Sequence, residues 1–187
     1  VFLAVGLGSL QLVLDKGQKE DWFSSDLIVV FALVSFFALT LLVVNELTVE
    51  QPIINLRLFR DPTFATGTVV MFFLFFNLFG SIVLLPIYVQ SLMGYSAYDA
   101  GLVLGPGGLA TLCVMPVVGK LVQRVNPKKI LGVGIVICSI TTWLMSQFNL
   151  QADFWTFVLP RVTLGLGMGL SFIPLTTLTL SHIPREK

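Results

Sequence analysis

Residues 100–119 restrict the fold more than any other stretch, because these twenty residues include no charged side chain. At a rise of about 1.5 Å per residue, a helix of that length reaches about 30 Å, the thickness of the hydrocarbon core of a bilayer. The chain then becomes basic, with Lys120, Arg124, Lys128 and Lys129 within ten positions. Clustered Lys and Arg in a short loop are typical of the cytoplasmic side of a membrane. The pattern therefore predicts a membrane span that ends in a cytoplasmic loop.

The composition of the whole chain supports a membrane location. Hydrophobic residues make up 56% of the sequence and charged residues 11%, against roughly 45–50% and 25% in soluble domains. The formal net charge of +1 does not indicate nucleic-acid binding. Both cysteines, Cys113 and Cys138, lie in apolar runs, where Cys behaves as a small hydrophobic residue. We predict an integral membrane protein without a disulfide.

The lengths of the apolar runs predict the architecture. A first run is too short to span a bilayer, and five longer ones follow, the last of them interrupted by a single charge at Arg161. These runs are 1–14, then 27–44, 65–90, 100–119, 130–152 and 154–180. We predict an all-α, polytopic transmembrane helix bundle with five full spans and one truncated span. Because the first helix is cut short, we expect the sequence to be an internal piece of a longer protein.

The distribution of basic residues gives the bundle an orientation. Alternating the spans from the basic loop places eight Lys and Arg on the cytoplasmic side and two on the other, a strong positive-inside bias. The cytoplasmic segments are 45–64, 118–129 and 181–187. Aromatic residues that prefer membrane interfaces lie near the opposite ends of the spans: Trp22, Tyr88, Tyr95, Tyr98, Trp143 and Trp155.

Four residues in the middle of the third full span predict a local distortion. Pro106 lacks the amide hydrogen that an α-helix needs, and Gly105, Gly107 and Gly108 have low helix propensity. We predict a kink or a wide turn at this cluster, tolerated because neighbouring helices can satisfy the freed carbonyl groups.

Signatures of catalysis and of metal binding are missing from the sequence. His182 is the only histidine, and HExxH, GxSxG, phosphate-binding glycine loops and paired metal-binding cysteines do not occur. The sequence therefore predicts neither an enzyme nor a metal site.

The basic loop also resembles a transporter signature. Residues 119–128 read GKLVQRVNPK, which is similar to the G-x-L-a-D-R-x-G-R-K motif of the major facilitator superfamily. Gly119, Leu121, Arg124 and Lys128 match the motif, whereas its Asp, Gly and Arg are replaced. Further similar segments are LDKGQ at 14–18, DWFSS at 21–25, PIINLRLF at 52–59 and PLTTLTLS at 174–181. Together they resemble EmrB/QacA-type drug:proton antiporters with fourteen helices, from end to end of the chain.

The resemblance implies a domain organisation. Residues 1–14 would be the end of the seventh helix and 26–45 the eighth, the pair inserted between the two six-helix halves. A cytoplasmic linker would follow at 46–64, and 65–187 would be the first four helices of the second half. The segment 51–60, which mixes apolar residues with two arginines, fits either an interfacial helix or a loop packed under the bundle.

The resemblance also implies a function. The family exports amphipathic drugs against proton entry by alternating access, with the proton gradient as its energy source and no cofactor. Its partners would be small amphipathic substrates, the lipid of a cell (inner) membrane and, in a bacterium with two membranes, a periplasmic adaptor protein. Another substrate, such as a siderophore, bile salt or amino acid, or a non-transporting membrane scaffold remains an alternative.

Proton coupling needs a protonatable group inside the membrane. All ten acidic residues fall in loops or at the ends of the predicted spans. We therefore expect the coupling carboxylates to lie in another part of the longer protein, and this piece alone to be inactive in transport.

A few polar residues within the spans are candidate site residues. Asn77 lies among phenylalanines and could form an interhelical hydrogen bond or anchor a substrate in an aromatic cavity. Arg124 and Lys128 are either the topological charges of a cytoplasmic loop or, with Gly119, parts of a gating loop. Gly165, Gly167 and Gly169 form a small-residue face of the last predicted span, which favours close helix packing.

Arg161 is the charge that most needs an explanation, because an arginine about 10 Å inside a span costs at least ~2.5 kcal/mol on insertion. It could extend back to the interface near Asp153 and Trp155. Alternatively it faces a central cavity, because Arg161-x-x-x-Gly165-x-Gly167 resembles a pattern in the fourth helix of major facilitator proteins. We predict the second arrangement, with Arg161 bonded to carbonyl groups or to a partner on another helix.

Overall fold

The structure, a computed structural model, describes residues 1–49 and 56–180. All regular secondary structure in these residues is helical, and five of the helices are long and apolar enough to cross a membrane. The predicted all-α membrane fold is thereby confirmed. The chain forms two compact units, Val1–Phe59 and Arg60–Lys187.

The first unit is a hairpin of two helices. Helix α1 covers Phe2–Lys16 and helix α2 covers Asp26–Thr48, with the short 3-10 turn Trp22–Ser24 between them. Small residues lie where the two helices meet, and the Ser35 hydroxyl donates a hydrogen bond of 2.9 Å to the carbonyl of Gly6. Such residues allow the close backbone approach on which membrane helix pairs depend.

The second unit contains four helices, and the last of them packs against the other three. Its helices are α3 (Pro62–Ser91), α4 (Ala97–Leu121), α5 (Pro127–Met145) and α6 (Phe154–Leu180). Helix α6 contacts all three others. In its apolar segment 56% of the residues are buried, against 11% to 22% in the other three. Helix α6 is therefore the interior helix of this unit.

Polar side chains cap the starts of α3 and α4. The Asp61 carboxylate accepts the backbone amides of Thr63 and Phe64 at the start of α3. Ser96 and Asp99 form a reciprocal capping box at the start of α4. These side chains satisfy amide groups that have no partner within the helix.

Aromatic packing holds the start of α6. The Phe157 side chain is fully buried, and its ring lies 4.8 Å from the ring of Phe148 in an edge-on arrangement. Tyr88 and Tyr95 contact the same ring. Aromatic rings from three other segments of the unit thus converge on the Phe157 side chain.

The observed helix ends correct the predicted span bounds. The last span, 154–180, agrees with α6, but the fourth span was predicted at 130–152, whereas α5 begins at Pro127 and ends at Met145. That prediction was wrong at its end because residues 146–152 carry no charge to mark the exit from the membrane. Helix α2 continues to Thr48, within the predicted linker.

The first half of the segment 51–60 lies outside the described residues. Its last part forms the 3-10 turn Leu56–Arg60. An interfacial helix and a loop packed under the bundle both remain predictions for this segment.

Helix α4 is unbroken through Gly105–Pro106–Gly107–Gly108, so the wide turn that we considered there is wrong. Proline removes one amide hydrogen bond, and glycine tolerates helical backbone angles, so the cluster need not interrupt the helix. A kink of the helix axis at this cluster remains a prediction.

Candidate functional site

Arg161 points into the second unit. Its side chain is 5% exposed, and its Nη1 atom donates a hydrogen bond of 2.8 Å to the hydroxyl of Ser81 on α3. Its Nε atom is buried and has no hydrogen-bond partner among the described residues. The guanidinium is therefore hydrogen-bonded to another helix, and its Nε–H donor has no acceptor among the described residues.

The depth of Ser81 argues against snorkelling of Arg161, the arrangement in which its side chain extends back to the membrane interface. Ser81 lies ten residues before the end of α3 at Ser91, or about 15 Å along the helix. Arg161 lies seven residues after the start of α6 at Phe154, or about 10 Å. The guanidinium therefore points away from these two helix ends, which are predicted to be non-cytoplasmic.

Glycines on α4 and α6 bring the backbone of α4 against Arg161. A Cβ atom on Gly107 would stand 2.8 Å from the Arg161 carbonyl oxygen and 2.9 Å from its Cγ atom. A Cβ atom on Gly165 would overlap the carbonyl oxygen of Gly107. The hydroxyl of Thr111 bridges the two helices, at 3.0 Å from the Gly107 oxygen and 2.9 Å from the Gly165 oxygen. Gly107, one residue of the predicted bend, thus has a packing role.

Two polar contacts, one helical turn apart, connect α3 to α5. The side-chain amide of Asn77 donates to the Thr142 hydroxyl at 2.6 Å, and that hydroxyl donates to the Cys138 carbonyl at 2.8 Å. The Ser81 hydroxyl, which accepts from Arg161, donates to the Met145 sulfur at 3.8 Å. Asn77 thus forms an interhelical hydrogen bond, one of the two roles considered for it.

A groove of about 700 Å³ runs along α3 and α5 beside these contacts. Asn77 and Ser81 lie on its wall. Large apolar and aromatic side chains supply most of the remaining surface, among them Phe73, Phe76, Leu84, Tyr88, Met145 and Phe148. Ligand sites for small amphipathic molecules have this character, with a few polar groups in an apolar wall. Asn77 can therefore also fill the second role considered for it, that of a polar anchor.

The signature-loop residues lie elsewhere in the unit. Gly119 is in the last turn of α4, Arg124 is exposed in the turn that follows, and Lys128 is exposed in the first turn of α5. Asn126 caps α5 by accepting the Lys128 amide. Arg124 and Lys128 line different grooves, and no described contact connects them to Arg161.

The acidic residues of the described helices lie in their end turns or immediately before them. They are Asp15, Asp26, Glu46, Asp61, Asp99 and Asp153. Glu46 is buried in the last turn of α2. Within the described residues, the middle of each span is therefore free of carboxylates.

The family follows from comparison with known proteins. Residues 12–187 match the profile of the Major Facilitator Superfamily. The chain belongs to the major facilitator superfamily. With five helices of membrane length among the described residues, it is a multi-pass protein of the cell (inner) membrane, as expected for this superfamily of transporters.

Curated proteins that are similar to this major facilitator chain are named for export or resistance. The multidrug export protein EmrB of Haemophilus influenzae is 34% identical over 188 residues, which are 100% of this chain and 37% of EmrB. The fatty acid resistance protein FarB of Neisseria gonorrhoeae is 30% identical over 97% of this chain and 36% of FarB. The lincomycin resistance protein LmrB of Bacillus subtilis is 29% identical over 100% of this chain and 39% of LmrB. The chain thus spans a little over a third of the length of these relatives.

Three contact residues of this major facilitator chain were missed by sequence reasoning: Ser81, Thr111 and Thr142. A signal for Ser81 was present, because it follows Asn77 by four residues and so shares its helix face. Thr111 and Thr142 have no such signal, since a threonine within an apolar span usually bonds its own helix. Both do so here, and each also contacts a second helix.

Proposed function

We propose that the full-length protein exports small amphipathic compounds by alternating access, driven by proton entry, and that it is not an enzyme. The observation that carries this proposal is the apolar groove along α3 and α5, which holds Asn77 and Ser81 and adjoins the buried Arg161. The names of the similar proteins support the export of drugs and other amphipathic compounds. The proton gradient and the lack of a cofactor come from the family resemblance.

Within this function we assign roles to the candidate residues. Arg161 is the functional charge of the second unit, and Asn77 is a polar anchor on the groove wall. Arg124 and Lys128, with Gly119, belong to a cytoplasmic gating loop, which is supported by the exposure of Arg124 and Lys128 and by the motif that all three match. The cluster Gly105–Gly108 bends α4.

We also propose where this chain belongs in the longer protein. Helices α1 and α2 would be the pair inserted between the two halves, and α3 to α6 the first four helices of the second half. The coupling carboxylates would then lie in the first half, and this piece would not transport alone. If the source bacterium has two membranes, a periplasmic adaptor would be a partner.

An efflux assay in intact cells tests the proposal. Cells that lack their own drug pumps and express the full-length protein should extrude a panel of preloaded amphipathic dyes. Nigericin and valinomycin together in potassium buffer should stop the efflux, because they dissipate the pH gradient and the membrane potential. Equal dye retention with and without the protein would contradict export, and efflux that the two ionophores leave unchanged would contradict proton coupling.

A further inference from the structure

The Ser81 hydroxyl has an unusual pair of partners for a side chain on the wall of an apolar groove. Its oxygen accepts a hydrogen bond from the Arg161 guanidinium. Its own proton is directed at the Met145 sulfur, 3.8 Å away. A thioether is a weak acceptor, so a ligand oxygen could take this proton at little cost. Ser81 is therefore a donor whose best acceptor is not supplied by the described residues.

The charge behind Ser81 favours a negatively charged ligand group. None of the described side chains that line the groove is ionisable as a carboxylate or a base. Within residues 1–49 and 56–180, the hydrogen-bond partner of Arg161 is Ser81, and the Nε atom is buried without one. In surroundings of low dielectric, such a charge acts more strongly than it would in water, and a hydroxyl polarised by a cation is a better donor to an anion.

We propose that Ser81 is the residue that selects amphipathic anions, by donating a hydrogen bond to the ligand carboxylate while Arg161 holds the Ser81 oxygen. The apolar body of the ligand would lie against the groove wall near Phe73 and Phe76. This inference rests on the proposed function, in which the groove binds the exported compound. It adds the chemical class of that compound and the residue that recognises it.

A binding experiment with two matched probes tests the inference. The first probe is 11-(dansylamino)undecanoic acid, whose fluorescence rises in apolar surroundings. The second is N-undecyl dansylamide, in which a methyl group replaces the carboxylate. Both are titrated into the purified full-length protein in detergent, with detergent alone as the blank. The wild-type protein should bind the acid more tightly than the methyl analogue.

The Ser81→Ala variant should lose affinity for the acid by roughly tenfold or more, which is typical of one hydrogen bond to a charged group. Its affinity for the methyl analogue should change less than about twofold, because that probe has no acceptor at this end. Ser139→Ala is the matched control, since Ser139 lies on α5 outside the groove wall and donates to the Ile135 carbonyl of its own helix. It should bind both probes as the wild type does.

Three outcomes would overturn the inference. An unchanged affinity of Ser81→Ala for the acid would show that Ser81 does not contact the carboxylate. Equal losses for both probes would show that it only shapes the groove. If the wild type binds neither probe, the groove is not a ligand site and the proposed function itself loses its main support. If Ser81→Ala does not fold, Ser81→Cys, which is similar in size and a weak donor, takes its place and should show the same selective loss.

Discussion

At the scale of single residues, the second unit depends on places where a side chain is absent. Gly107 and Gly165 bring α4 and α6 into backbone contact, and their carbonyl oxygens share the Thr111 hydroxyl. This contact also packs Gly107 against the Cγ and Nε atoms of Arg161. The position of the arginine is therefore coupled to the absence of a methyl group on the neighbouring helix.

Gly165→Ala should destabilise the protein by about 1–3 kcal/mol, the usual cost of inserting a methyl group into a packed interior. The added atom would overlap the Gly107 carbonyl oxygen, which cannot move without the rest of α4. Gly105→Ala is the matched control, because a Cβ atom there meets nothing within 4 Å. Thermal unfolding in detergent should show a lower Tm for Gly165→Ala alone. Equal Tm values for the two variants would contradict the close contact.

Arg161→Lys should reduce export by roughly tenfold while leaving membrane insertion intact. Lysine keeps the charge but loses the planar fork of five donors, so it cannot hold Ser81 in the same geometry. The exposed Arg60 supplies the control, since Arg60→Lys should export normally. Dye efflux should be compared at equal protein levels in the membrane. Full efflux by Arg161→Lys would refute the functional role of the guanidinium.

The site could be predicted from sequence only in part. Arg161 was expected because a charge inside an apolar span is costly and needs compensation. Its partner Ser81 was not expected, because the two residues are 80 positions apart and their contact depends on how α3 and α6 pack. The same reason hides the pairing of Asn77 with Thr142, 65 positions apart. Periodicity along one helix carries no information about the register between two helices.

At the scale of the element, the predicted span bounds were approximate. The predicted spans began at 65 and 130, whereas α3 begins at Pro62 and α5 at Pro127, each directly after a polar capping residue, Asp61 or Asn126. The end of α5 at Met145 has no such marker, and the predicted span therefore continued too far. The unbroken α4 shows that a glycine and proline cluster in a membrane span need not be a turn, because packing against another helix can be its reason.

Asn126→Ala should destabilise the start of α5 by about 1 kcal/mol, the typical value of an N-cap hydrogen bond. The lost bond is the one from the Lys128 amide to the Asn126 side chain, at 3.0 Å. Asn126→Asp keeps an acceptor at the same place and should unfold as the wild type does. Limited trypsin digestion after Lys128 and Lys129 should be faster in the alanine variant. Equal digestion rates would show that the cap is not needed.

At the scale of the whole molecule, the predicted orientation can be tested chemically. Cysteine at position 124 of the full-length protein, with Cys113 and Cys138 replaced, should resist membrane-impermeant thiol reagents in intact cells. Cysteine at position 96 should react. Both positions are exposed in the structure, so a difference in labelling reports the membrane side. The reverse pattern would overturn the orientation of every span.

The central position of α6 has a consequence for how the protein is made. A ribosome completes α3, α4 and α5 before it reaches α6, so three helices enter the membrane before their common neighbour exists. During that interval Ser81 lacks Arg161, and Thr111 keeps only its contact with the Gly107 carbonyl of its own helix, in a solvent that does not replace the missing contacts. A nascent chain stalled before residue 154 should therefore stay bound to the insertion machinery. Once released from it, the chain should be degraded early by membrane proteases.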